Sequence, residues 1–254
     1  MLDFSFNGVS LSSFGGRVME APMHTIAKRD KTFDKIYGQS GDELIDNGSY
    51  NNVEFSVKIG FFTFVSRQTA QQLAQSIINW LAPLQDGYYV YRDSENAGYF
   101  TQAALVNFDQ IQHEMRTFLT ATLSFNRVPF WYSDDGTAEI RLDSGLTDYT
   151  ITNPTAFDAE PVYQFIYGRP NTHEIAEITI NGITTTALLP VADETYYFDN
   201  VLKQMYVIQN GEKNYVGSVL LPNLTPGDNI INYRLNTVGV GSFRMIVTPN
   251  WRRL

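Results

Sequence analysis

The sequence predicts an all-β protein with one helix, and three observations support this fold class. Aromatic residues make up 14% of the chain, chiefly Tyr and Phe, and these residue types favour strands. Apolar and polar side chains alternate along many short runs, as expected for strands with one buried face. Between such runs lie Asn-Gly dipeptides, which suit tight hairpin turns because both residues tolerate positive φ. They occur at Asn7-Gly8, Asn47-Gly48, Asn181-Gly182 and Asn210-Gly211.

Strands are expected beside these turns and in several longer runs. Phe4 and Phe6 lead into the first turn with alternate spacing, and Ile178 and Ile180 do the same before the third. Such alternation places every second side chain on one face of a sheet. Further strands are expected over residues 53–65, 88–92, 100–107, 117–127 and 162–167.

A single segment, residues 69–81, has helical rather than strand periodicity. Its apolar side chains recur at three- and four-residue intervals, and uncharged polar residues occupy the other face. Ser66 lies where a capping residue is expected, and Pro83 prevents the helix from continuing. The segment carries no charge, which favours packing against a sheet. The apolar positions are Leu73, Ile77, Trp80 and Leu81.

The closing stretch, residues 217–254, predicts two strands and a tight turn. Pro226 and Gly227 suit the central positions of that turn. Apolar residues alternate over 231–235, and they alternate again over 243–247 after a glycine-rich break. The pattern predicts antiparallel strands that close a sheet with one buried face.

The chain length of 254 residues suits one large β domain or two ordinary ones. A boundary is expected where a strand-like run ends before SDDGTAE, giving domains over residues 1–133 and 134–254. The net charge of −9 disfavours adhesion to nucleic acid or to an anionic membrane. No apolar run is long enough to predict a transmembrane helix.

Candidate catalytic and metal-binding groups are sparse. There is no cysteine, which excludes disulfides, thiolate metal sites and cysteine nucleophiles. His24, His113 and His173 stand apart, without the spacing of a metal site. We therefore expect no catalytic residue, no metal and no cofactor.

Residues 24–52 stand out for their charge pattern. Basic residues come first, a turn over Gly38 and Gly41 follows, and acidic residues come next. The two limbs either pair within one subunit or clasp a neighbour whose matching limb has the opposite charge. The candidate contact residues are Lys28, Arg29, Lys31, Lys35, Tyr37, Asp42 and Glu43.

Motifs in a fixed order along nearly the whole chain carry a family resemblance. They include FSFNGVSLSSFGG, LIDNGSYNNVEFSV, NWLAP and FNRVPFWY in the first half. In the second half they include NPTAFDAEPV, LPNLTPGDNII and TPNWRRL. In this order the chain resembles the distal tail protein (Dit) family of long-tailed siphovirus bacteriophages of Gram-positive hosts.

The resemblance implies an N-terminal β-sandwich domain with the helix and an arm-like hairpin over residues 24–52. A C-terminal galectin-like β-sandwich follows. The implied role is structural and not enzymatic. A hexameric ring of this chain would join the tail tube protein to the tail-tip, tail-fibre or baseplate protein. DNA would pass through the ring without specific binding.

The resemblance also implies that the first domain forms the ring and that its arm contacts the next subunit. Receptor-binding proteins are further candidate partners, and no membrane is involved. The protein would reside in the virion tail tip after assembly in the host cytoplasm.

Two alternatives concern the second domain. Galectin-like sandwiches often bind sugars, and the nearest candidate cluster here is Arg169, Asn171 and His173. The His-x-Asn-x-Arg pattern of galectins is missing. A glycoside hydrolase would need two carboxylates across a cleft. The available carboxylates are Glu160, Glu174, Glu177 and Asp193.

Overall fold

A computed structural model describes residues 2–20, 25–142, 148–168, 174–189, 195–235 and 242–254. The described residues form antiparallel sheets and one substantial helix, which confirms the all-β class. The chain divides into two compact units, Met1–Trp131 together with Leu254, and Tyr132–Arg253. The sequence-based boundary had been placed between residues 133 and 134.

The first unit is built on one continuous antiparallel sheet, in the order β2-β1-β7-β8-β9-β6-β3. Strands β4 and β5 pair with each other in a sheet of their own. The strands are β1 Phe4–Phe6, β2 Val9–Ser10, β3 Gly16–Val18, β4 Arg29–Lys35, β5 Asp42–Tyr50, β6 Val53–Phe62, β7 Tyr88–Asp93, β8 Tyr99–Met115 and β9 Phe118–Arg127. Strand β10, Trp131–Ser133, follows.

The main sheet of the first unit curls around its own core. Strands β1 and β9 are separated by β7 and β8, a distance of about 14 Å along a flat sheet. Yet the ring centroids of Phe125 on β9 and Phe6 on β1 lie 5.2 Å apart. Register shifts in β8 after Leu105, Phe108 and His113 bend the sheet at the point where it must turn. The two ends of one sheet therefore enclose the core as a sandwich does.

The helix predicted over 69–81 is confirmed as α2, Ala70–Leu81. Its cap is Thr69, whose side chain accepts from the amide of Gln72 in a capping box, and not Ser66. Ser66 instead ends a single helical turn, α1, Thr63–Ser66. The strand expected to reach residue 65 therefore ends at Phe62. Among the described residues, no helix is long and apolar enough to cross a membrane.

The apolar face of α2 packs onto the curled sheet. Leu73, Ile77 and Leu81 are buried in the same core as the strand residues. Trp80 stacks between the rings of Phe4 and Phe14, and its indole N–H donates to the carbonyl of Phe6 at 3.3 Å. Short 3-10 helices, Leu11–Phe14 and Ala82–Leu84, complete this layer.

The second unit is a sandwich of two antiparallel sheets. One has the order β11-β20-β13-β16-β17-β18, and the other has the order β12-β19-β14-β15. Phe165 and Met245 of the first sheet share a core with Ile178 and Tyr233 of the second. The strands are β11 Ile140–Leu142, β12 Tyr149–Asn153, β13 Val162–Gly168, β14 Glu174–Ile180, β15 Ile183–Leu189, β16 Thr195–Asp199, β17 Gln204–Gln209, β18 Glu212–Gly217, β19 Gly227–Leu235 and β20 Ser242–Thr248. The short strand β21, Arg252–Arg253, pairs with β10 and is in neither of these two sheets.

The alternation predicts that the two closing strands complete one sheet. In the structure they lie in different sheets. Strand β19 pairs with β12 and β14, whereas β20 pairs with β11 and β13 in the opposite sheet. Both strands bury alternate side chains, Tyr233 and Met245 among them, in the core between the sheets. Alternation specifies which face is buried and carries no information about the pairing partner. The glycine-rich break between these strands lies outside the described residues.

Three of the Asn-Gly dipeptides form the expected hairpin turns, with positive φ at both residues. They join β1 to β2, β14 to β15 and β17 to β18. The hairpin turn predicted at the remaining dipeptide, Asn47-Gly48, is wrong. These residues lie inside β5, where the register shifts opposite Arg29 and Lys31. Gly48 supplies the positive φ of an irregularity in the strand and does not reverse the chain.

Buried asparagines hold the loops of the second unit. The Asn229 amide nitrogen donates to the carbonyls of Thr225 and Gly227 at 2.8 and 2.9 Å. Its carbonyl oxygen accepts from the Thr225 amide at 2.9 Å and from Asn181 at 2.8 Å. Asn153 plays a similar part, donating to the carbonyls of Phe157 and Leu224. The motifs NPTAFDAEPV and LPNLTPGDNII therefore contain the residues that fix these turns.

We expect Asn229→Ala to destabilise the second unit by about 2–3 kcal/mol, because buried backbone groups lose their partners. Asn214→Ala, at an exposed position of β18, is the matched control and should change stability by less than about 0.5 kcal/mol. Hydrogen-exchange mass spectrometry in urea would report on the two units separately. Equal protection of the second unit in both variants would contradict this role for Asn229.

Candidate functional site

The hairpin of β4 and β5 is exposed along nearly its whole length. Its strands pair in a sheet of their own, and β4 alone spans about 20 Å. Nearly every residue of the two strands is exposed. Phe33 and Leu44, which face each other across the strands, are 64% and 52% exposed, and Tyr37 at the turn is fully exposed. Two-stranded hairpins are marginal in water unless they pack against something.

The base of the hairpin is attached to the first unit. The amide of Asn51 donates to the carbonyl of Lys28 at 2.9 Å, closing the two limbs. The ring of Tyr50 contacts the ring of Phe130 edge-on, with centroids 5.4 Å apart. Asn52 donates to the side-chain oxygen of Asn126 at 2.7 Å. The hairpin is thus anchored at its base while its strands and tip are left in solvent.

An ion pair links the two limbs near this base. The Arg29 Nε atom lies 2.8 Å from Oδ2 of Asp46, and the guanidinium sits over the Tyr50 ring at 5.0 Å. Interaction with Tyr50, and then with Asp46, raises the pKa of Arg29. The amide of Gly48, and then Arg29, lower the pKa of Asp46 by hydrogen bonding to its charged form. The irregularity in β5 therefore places a backbone donor on this carboxylate.

The hairpin has two faces of different charge. Opposed residues of an antiparallel pair lie on the same face, so one face carries all three basic residues of β4, with Asp46 opposite Lys31 and Asp42 opposite Lys35. We call the other face the acidic face. Asp34 lies directly opposite Glu43 there, and Asn47 donates to Thr32 at 3.2 Å. The acidic face consists of Asp30, Thr32, Asp34, Glu43, Ile45, Asn47 and Ser49.

The structure places the predicted arm residues in four settings. Arg29 pairs within the chain, and Lys31 and Lys35 lie opposite Asp46 and Asp42. Tyr37 extends from the turn, and Glu43 lies on the acidic face. Lys28 lies at the base. The beginning of the predicted arm, residues 21–24, lies outside the described residues.

Sequence reasoning did not single out Asp34 or Tyr50. The order of charges along the chain assigns the acidic residues to one limb of the hairpin. Successive side chains of a strand point to opposite faces, and this alternation assigns each charged residue to one face of the hairpin. Period-two spacing of Asp30, Thr32 and Asp34 was the available signal for the acidic face.

The predicted saccharide cluster of Arg169, Asn171 and His173 lies outside the described residues. Of the carboxylates considered for hydrolysis, Glu160 is held by Arg252 at 2.7 Å and by Lys203 at 3.3 Å. Glu177 pairs with Arg234 at 2.5 Å. Asp193 and the side chain of Glu174 are not described. Within the described ranges, no group of three His, Asp or Glu side chains is arranged to hold a metal ion.

A small cleft of about 110 Å³ in the first unit is lined in part by Tyr91, Asp93, Arg127 and Trp131. Arg127 is 5% exposed and donates to the carbonyls of Val128 and Pro129 at 3.0 and 2.9 Å. Burial lowers its pKa, and nearby Asp93 acts in the opposite direction. Its guanidinium N–H groups donate to backbone carbonyls, so Arg127 holds a loop in place and is not available to bind a ligand.

Comparison with solved structures identifies proteins of the same fold. The SPP1 Dit protein, described as a paradigm of the hub adsorption apparatus in Gram-positive infecting phages, superposes with a TM-score of 0.66. The match covers 97% of this chain and 97% of that one, at 14% sequence identity.

A baseplate protein of phage P2, in the activated conformation with Ca, matches with a TM-score of 0.51 at 8% identity. The same baseplate with Sr gives a TM-score of 0.50 at 8% identity. Both cover 97% of this chain and 98% of the other. No known family profile matches this sequence, and neither does any curated protein. The chain therefore has the fold of phage hub and baseplate proteins over nearly its full length.

We expect Arg29→Gln to raise the pKa of Asp46 toward the usual aspartate value, because the charged form loses its cation. Since the folded pKa is lowered, the carboxylate stabilises the hairpin above about pH 4 and stops doing so as pH falls through the folded pKa. An NMR titration that follows the Asp46 carboxylate and the Gly48 amide measures the midpoint of this titration. Lys35→Gln, which changes a cation on the same face, should leave the midpoint unchanged. An unshifted midpoint in Arg29→Gln would contradict the assignment.

Proposed function

We propose that this chain is a structural subunit of a bacteriophage tail-tip hub. The observation that carries the proposal is the match to SPP1 Dit across 97% of both chains, both units included. A shared fold alone does not define a function. The exposed hairpin adds a second argument, since a projecting element with uncovered apolar side chains suits assembly between subunits. We propose a structural role and no catalytic one.

The proposed assembly is a ring of six copies that joins the tail tube protein to the tail-tip or tail-fibre protein. The first unit would form the ring, with the hairpin reaching the next copy, and the second unit would lie at the periphery. Receptor-binding proteins are candidate partners for that outer unit. A contact in which the hairpin of one copy meets a different surface of the next is heterologous, and such contacts form a ring when the rotation between copies closes.

DNA passage through the ring agrees with the charge of the chain. The net charge of −9 repels a polyanion, so a passing genome would not adhere. We accordingly place the protein in the virion of a siphovirus with a Gram-positive host, after assembly in the host cytoplasm.

The ring predicts a specific response to removal of the hairpin. In a shortened variant, residues 31–48 are replaced by Asn-Gly. Asp30 and Ser49 are neighbours across the two strands, with Ser49 Oγ 3.5 Å from Asp30 Oδ2, so a tight turn can join them. We expect the complete chain to form six-lobed rings in negative-stain images and the shortened chain to be monomeric. Light-scattering mass, alone and with the tail-tip protein, checks both.

The control for folding is hydrogen exchange in β6, β8 and β9, which should stay protected because the hairpin is not part of that sheet. A complete chain that is monomeric under both conditions would count against the ring. A shortened chain that still forms rings would count against the hairpin as the connecting element.

A further inference from the structure

A second exposed surface of the first unit has the opposite charge to the acidic face of the hairpin. It forms where α1 meets the turn between β8 and β9. Phe64 and Met115 are 71% and 69% exposed there. We call this surface the arginine patch. Its members are Arg17, Phe62, Phe64, Arg67, Met115, Arg116 and Phe118.

The apolar members of the arginine patch are in contact with one another. The Phe62 ring lies 5.5 Å from Phe64 and 4.8 Å from Phe118, centroid to centroid. Met115 is the cross-strand partner of Phe118. The Thr63 amide donates to the carbonyl of Thr117 at 3.0 Å, which fixes α1 against the turn. These side chains therefore form one continuous apolar surface and not scattered exposed residues.

Three arginines surround that surface. The Arg17 guanidinium lies over the Phe62 ring at 5.7 Å from its centroid. Arg67 follows α1 directly with a positive φ of 57°, and Arg116 occupies the turn after Met115. All three are exposed, and within the described residues none of them makes an ion pair. The patch is thus apolar at its centre and basic at its edge.

The acidic face of the hairpin has the complementary composition. It carries Asp30, Asp34 and Glu43, while every cation of β4 lies on the opposite face. Asp34 and Glu43 face each other across the strands, and directly opposed like charges destabilise a hairpin. Ile45, 41% exposed, lies next to this pair. The repulsion is relieved when cations of another molecule approach that face.

We propose that the acidic face of one copy docks on the arginine patch of the next copy. Asp34 and Glu43 then face Arg67 and Arg116, and Ile45 lies against Phe64. The two surfaces lie at different places on the same unit, so the contact is heterologous, as a ring of identical copies requires. The inference rests on the proposed ring function and names the surfaces that build it. Charge complementarity also favours this contact over one between two acidic faces, because acidic faces repel each other.

Charge reversal on either side tests the docking. The arm variant combines Asp34→Lys with Glu43→Lys, and the patch variant combines Arg67→Glu with Arg116→Glu. We expect each variant alone to lose ring mass and to run as a monomer. Mixed in equal amounts, the two should recover ring mass, because each basic arm meets an acidic patch and each acidic arm meets a basic patch. Mass photometry measures all three samples.

The matched control changes the same amount of charge elsewhere. Glu139→Lys combined with Glu212→Lys alters two exposed residues of the second unit and should leave ring mass unchanged. Circular dichroism confirms that every variant is folded.

The outcomes separate the docking from the ring itself. Ring mass retained by the arm variant or the patch variant overturns the docking and leaves the ring standing. Mixtures that stay monomeric although both components are folded also overturn the docking. A wild-type chain that is monomeric with and without the tail-tip protein overturns both.

Discussion

The aromatic cluster around Phe125 holds the first unit together. Phe125 on β9 contacts Phe4 and Phe6 of β1, three strands away in the main sheet, and Phe55 of the neighbouring strand β6, with ring centroids 5.2 to 6.2 Å apart. Hydrogen bonds alone would permit a flat sheet, and only this shared burial makes its ends meet. Closure over the cluster fills the core, so α2 covers the remaining apolar face. The hairpin of β4 and β5 is then left without a place in that core.

The excluded hairpin is consequently available for assembly. Its ion pair between Arg29 and Asp46 neutralises one face inside the chain, while Asp34 and Glu43 leave the other face uncompensated. A two-stranded hairpin that packs little against its own domain gains stability from a partner, which agrees with the docking proposed above. The arginine patch lies on the same unit and would supply the missing cations.

The second unit contains buried side-chain hydrogen bonds in addition to its apolar core. Asn153 and Asn229 satisfy loop carbonyls and amides that the sandwich buries, and both lie in motifs that carried the family resemblance. Such residues are hard to replace, because an apolar substitute leaves several backbone groups unpaired. Their role in this structure is to shape turns, and they contribute no reactive group.

The sequence alone determined the properties that are local. The spacing of Leu73 and Ile77 specified α2, and Asn-Gly at positions 7, 181 and 210 specified three hairpins, because backbone preference and side-chain period act over a few residues. Tertiary structure decided which strands pair. It placed β19 and β20 in opposite sheets and turned Asn47-Gly48 into an irregularity within β5. It also brought Phe62, Phe64 and Phe118 together from separate segments. Those outcomes depend on contacts between residues far apart in the sequence. Alternation shows which face of a strand is buried and does not show which strand pairs with it.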